Sequence, residues 1–97
     1  MLLRIVHMRF TEEGVEKFLE IFVNHQGAIR NVPGCSHLEL LKHPDDPQRF
    51  TTLSYWDEER HLEDYRHSAL FSSVWSRVKP LFSERSRAYS LEKFIEV

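Results

Sequence analysis

His7, Tyr65, Phe71 and Trp75 are the side chains of this sequence best suited to act on a flat organic ligand. Between them they offer an imidazole, a phenol, an indole N–H and apolar ring faces. His7, with Arg4 and Arg9, interrupts a mainly apolar stretch, Leu2 to Phe10, and its imidazole could enter a cavity and serve as a general base or hydrogen-bond donor. The alternative is a core histidine bonded to a backbone or hydroxyl partner. Tyr65 and Trp75 recur with apolar neighbours at helical spacing, which is also the pattern of plain core residues. Trp56 reads as a packing anchor and His67, beside Ser68, as solvent-facing. No metal chemistry is indicated, because the histidines at 7, 25, 37, 43, 61 and 67 form no H-x-x-x-H pair and there is no C-x-x-C. Cys35 follows a Pro-Gly turn with no histidine placed by sequence to activate it, which points to structural use.

These residues must be positioned by a regular succession of elements. Residues 2–10 read as a strand buried on both faces, and Thr11 as an N-cap with Glu12 and Glu13 in the first turn of a helix. Val15, Phe18, Leu19, Phe22, Gln26 and Ile29 recur at three- and four-residue spacing, so that one stripe of that helix faces a sheet, and Pro33-Gly34 ends it. Ser36–Lys42 and Arg49–Trp56 read as strands joined by His43-Pro44-Asp45-Asp46-Pro47, a connection short enough for a hairpin. Asp57 is the expected cap of a short helix through about Arg66. Ser68 caps another carrying Phe71, Val74, Trp75, Val78, Leu81 and Phe82, which Pro80 should kink or end. Arg87–Val97 alternates well enough to close the fold as a strand. The order β-α-β-β-α-α-β is the split βαβ of a ferredoxin-like α+β fold: a four-stranded antiparallel sheet with helices on one face.

A chain of 97 residues is expected to form one domain, 1–97, with a thin stability margin. Its bare sheet face should be covered by a second copy, giving a homodimer with two sheets face to face. Hydrophobic residues at 41% and a formal charge of -2 describe a soluble globular domain and exclude any strong case for nucleic acid or an acidic membrane as partner. A single cysteine fits a reducing compartment. The amino-terminal stretch, broken by Arg4, His7 and Arg9, does not read as a signal peptide, so a cytoplasmic location is expected.

Four segments, in the order and spacing of these elements, resemble the antibiotic biosynthesis monooxygenase (ABM) domain family. They are Val32-Pro33-Gly34-Cys35, Asp45-Asp46-Pro47-Gln48-Arg49-Phe50, Tyr55-Trp56-Asp57-Glu58 and Ser68-Ala69-Leu70-Phe71. The resemblance spans about residues 2 to 95 and implies a dimeric α+β barrel. Members of that family include cofactor-independent monooxygenases of quinol- or anthrone-like aromatics, haem-degrading enzymes and an isomerase, so membership alone does not fix the reaction. Many members carry a histidine on the short helix and another after the serine of the last segment; here Tyr65 and Leu70 stand there. The asparagine, tryptophan and haem-ligating histidine of the haem-degrading members correspond to His7, Tyr65 and Trp75, and an indole cannot coordinate iron. The chain is therefore not expected to degrade haem.

Two functions follow as expectations. One is a cofactor-independent monooxygenase with His7 as the catalytic group and Tyr65, Phe71 and Trp75 binding a small aromatic between sheet and helices. The other is a non-catalytic ligand-binding or structural dimer.

Overall fold

A computed structural model describes all 97 residues. The elements are β1 (Leu2–Arg9), α1 (Gly14–Arg30), β2 (Cys35–Lys42), β3 (Arg49–Trp56), α2 (Glu59–Arg66), α3 (Ala69–Val78), a 3-10 turn (Lys79–Leu81) and β4 (Arg87–Glu92). The sheet order is β2-β3-β1-β4 and every pairing is antiparallel. This is the α+β, ferredoxin-like arrangement read from the sequence.

Local chemistry explains most boundaries. Thr11 Oγ1 accepts the amide of Gly14 at 3.0 Å, so α1 begins two residues later than expected and Glu12 and Glu13 lie in the preceding turn. Gly34 has φ +87°, the left-handed region, and a β-carbon there would fall 2.2 Å from Cγ of His61. Ser68 Oγ accepts the Phe71 amide and caps α3 as the sequence indicates. Pro80 falls in the 3-10 turn that ends the same helix. Asp57 does not cap α2. Its amide is held by the Gly34 carbonyl at 2.8 Å, and Glu58 takes the N-cap position, its carboxylate bonded to Arg60 and making no capping bond to the helix amides.

Strand β4 is also shorter than expected. Its last pair is Glu92 with Leu2, where β1 itself begins, so residues 93–97 have no strand to bond and Phe94 is 94% exposed.

The core lies between the sheet and the helices. Met8, Phe10, Phe18, Ile21, Phe50 and Val78 form its main cluster, with Phe10 stacked on Phe18 at 4.1 Å; Cys35, Trp56 and Leu62 form a smaller one under α2. Strand parity follows from this packing. Val6, Met8 and Phe10 turn to the helices, so Leu3, Ile5 and His7 occupy the opposite face. There they meet Leu53 and Tyr55 of β3 and Tyr89 and Leu91 of β4 across the ladder, and Leu91 is 51% exposed. No helix covers that face. No helix of the chain is long and apolar enough to cross a membrane.

Candidate functional site

A cavity of about 350 Å³ opens between the helix side of the sheet and all three helices. Its floor is formed by Arg4, Val6 and Met8 of β1, Thr52, Ser54 and Trp56 of β3, and Ala88 of β4. Its opposite wall is aromatic. Trp56 stacks on Tyr65 (5.2 Å), Tyr65 meets Phe71 edge-on (5.3 Å, 85°), and Phe71 stacks on Trp75 (5.8 Å, 13°). Because Phe71 and Trp75 are four residues apart on α3, they stand one above the other on the same helical face. The result is a run of ring surfaces whose size and shape suit a planar molecule.

Tyr65, Phe71 and Trp75 are thus brought together around one cavity. His7 is not among them. Its Nδ1 lies 2.9 Å from Thr51 Oγ1 and its Nε2 3.1 Å from the Tyr89 hydroxyl, both on the uncovered face. The reason is parity: with Val6 and Met8 turned to the helices, position 7 must turn away. His7 is therefore removed from the helix-side cavity in which the sequence reading placed it.

The polar groups in its stead are ones that sequence reading passed over: Arg4, Arg66, Thr52, Ser54 and Ser86. Ser54 is taken up by the Trp56 indole, which donates to its hydroxyl at 2.9 Å. Arg66 bonds Glu63 at 3.0 Å. Arg4 bonds only the Ser90 hydroxyl, at 3.2 Å. Burial, and then repulsion from Arg66, lower its pKa from the usual guanidinium value, with Glu63 acting in the opposite sense. The signal that could have found Arg4 is its even-numbered place beside Met8 and Phe10.

Tyr65 is the one group here whose titration is moved far. Removal from water, and then the nearby Cys35 thiol, push its phenol up to about 12, so the hydroxyl stays protonated and can donate but not act as a base near neutral pH. An unfolded tyrosine ionises near 10.0, so the tyrosine favours folding fully below pH 10, and that contribution, about 2 kcal/mol, is lost as pH rises from 10 to about 12. Urea titrations at about pH 9 and about pH 11 should show roughly half of this loss in the wild type and a smaller one in Tyr65→Phe. Equal losses in both proteins would contradict the assignment.

Cys35 is buried, and burial raises its thiol pKa, which disfavours the thiolate. No three of the His, Cys, Asp and Glu side chains converge as metal ligands would. A second depression, about 540 Å³ between α1 and β2, is a more open groove whose arginine, Arg30, is already bonded to the Cys35 carbonyl. It encloses a ligand less well than the helix-side cavity.

Comparison with known proteins decides the family. The family model described as antibiotic biosynthesis monooxygenase matches residues 1–74. The chain belongs to that family. Among solved structures, one titled antibiotic biosynthesis monooxygenase superposes with a TM-score of 0.91 at 16% identity, covering 98% of this chain and 100% of the other. A proposed antibiotic biosynthesis monooxygenase from Nitrosomonas europaea gives 0.86 at 22% identity, again over 98% and 100% of the two chains. A conserved protein from Methanosarcina mazei Go1 gives 0.90 at 17% identity, over 97% of this chain and 94% of that one. At such identities the likeness is one of fold. No curated protein matches the sequence.

Proposed function

We propose that this ABM-family chain is a monooxygenase that needs no cofactor and acts with dioxygen on a small phenol- or quinol-like aromatic bound between sheet and helices. The aromatic wall of Tyr65, Phe71 and Trp75 around a cavity of about 350 Å³ is the observation that carries this reading. The ring faces fix the plane of the substrate, the protonated Tyr65 supplies a donor, and the apolar lining excludes water. The substrate, ionised at one oxygen, is itself the reductant. In an anthrone-like case a ring CH₂ becomes C=O, one oxygen atom enters the product, and the other leaves as water with the two hydrogens. Oxygen uptake by metal-free protein, followed with a panel of quinols and anthrones, tests it; uptake no faster than the buffer blank with every member would overturn it.

A second reading, a binding domain without catalysis, is favoured by the absence of an imidazole from the cavity, since His7 lies on the other face. Saturable binding of the same aromatics without oxygen uptake would establish it.

The uncovered face, with Leu3, Ile5, Leu53 and Leu91, supports a homodimer, in which sheets pack face to face about 10 Å apart. Light scattering after gel filtration should return twice 11.6 kDa at micromolar concentration, and a monomer mass would sink the proposal. His7→Ala leaves the Thr51 and Tyr89 hydroxyls without their partner on that face. It is expected to weaken the dimer by about 1–2 kcal/mol while changing affinity for an aromatic in the cavity by less than about twofold. A large fall in ligand affinity with an intact dimer would return His7 to the site.

A further inference from the structure

We propose that Arg4 is the anion-recognising group of the helix-side cavity, and that the ligand held there is a planar aromatic carrying one ionised oxygen, as a phenolate or a carboxylate. The inference rests on the reading of the cavity as a site for a flat aromatic, and it adds what the ligand must carry.

The arginines of this chain differ in what balances them. Three are half-buried: Arg4, Arg9 and Arg49. Arg9 and Arg49 share the Asp46 carboxylate, at 2.9 and 3.6 Å, and Arg49 also reaches Glu84 at 3.1 Å. Arg4 has no carboxylate, only the Ser90 hydroxyl, although it lies on the cavity floor beside Val6. A guanidinium carries five N–H donors in a planar fork, and one bond to a hydroxyl leaves most of that capacity unused. The second cation at the cavity, Arg66, is balanced by Glu63 at 3.0 Å, so the pair adds little charge. One uncompensated positive charge therefore stands at an otherwise mostly apolar cavity. Partial burial makes such a charge costly by itself and its attraction to an anion stronger than it would be in water.

The same geometry selects the ligand. A guanidinium fork matches a planar carboxylate or a phenolate oxygen, and the stacked Phe71 and Trp75 match the ring to which that oxygen is attached. An inorganic anion would gain the charge but not the ring contacts. A phenol bound beside Arg4 would lose its proton more readily than in water, since the cation stabilises only the ionised form. In a substrate that reduces dioxygen, that ionised form is the electron-rich one.

Three probes test this on the full-length protein. By calorimetry at neutral pH, 2-naphthoate is expected to bind at least tenfold more tightly than its neutral analogue 2-naphthylmethanol. By absorbance, the pKa of 2-naphthol is expected to fall by a unit or more on binding. Arg4→Gln should erase both effects while leaving affinity for 2-naphthylmethanol within twofold. Arg4→Lys, which keeps the charge without the fork, should retain part of the preference and guards against a folding defect in the glutamine variant. Neutral and anionic probes binding equally to the wild type, or a preference that survives Arg4→Gln, would overturn the role of Arg4 while leaving the aromatic site standing. Failure of all three probes to bind would remove the aromatic site and this inference with it.

Discussion

Replacing Trp56 with alanine is expected to destabilise the fold by about 3–5 kcal/mol, enough to consume much of the roughly 5–15 kcal/mol available to a domain of this size. Trp56 is 1% exposed and forms, with Cys35 and Leu62, the small core beneath α2. Its ring supports Tyr65 by stacking at 5.2 Å, and its indole N–H gives the 8% exposed Ser54 hydroxyl a partner. The truncation would open a void and strand that hydroxyl, two costs that add to the lost burial. Trp56→Phe separates them: it keeps most of the packing, loses the N–H bond, and should cost about 1–2 kcal/mol. Urea denaturation followed by circular dichroism measures both. A loss below about 1.5 kcal/mol for the alanine variant would mean that α2 is held by something other than this contact.

The largest effect on activity is expected from Ala88→Trp. Ala88 pairs with Val6 across the β1–β4 ladder, shares its face, and lines the cavity while remaining exposed. An indole there would fill the opening without being forced into the packed core. Ligand affinity and any oxygen uptake are expected to fall by about 10²-fold, because displacing a bound aromatic by even an ångström is enough for a loss of that order. Stability should change by less than about 0.5 kcal/mol, as for other exposed positions. Unchanged uptake in a well-folded Ala88→Trp protein would place the reaction outside this cavity.

Much of the architecture was legible in the chain because its signals are local. The three- and four-residue spacing of Phe18, Leu19 and Phe22, the Ser68 cap, the Pro80 stop and the Pro33-Gly34 turn each act within a few residues, and each lies where the sequence placed it. The hairpin of β2 and β3 follows from the shortness of its loop. Tyr65, Phe71 and Trp75 could be expected on one wall because α2 and α3 are consecutive and both are amphipathic.

What sequence could not decide was which face of β1 meets the helices. Leu3 and Ile5 on one side are as apolar as Val6 and Met8 on the other, and both sides carry polar residues, His7 and Arg9 on the first and Arg4 on the second. A strand apolar on both faces has no two-residue alternation to read, so its parity is set only when α1 packs Phe18 and Ile21 against Met8 and Phe10. That one packing choice sends the imidazole to the uncovered face and the guanidinium into the cavity. The end of β4 was hidden for a related reason: the apolar alternation continues to Ile95, but strand length is limited by the partner, and β1 begins at Leu2.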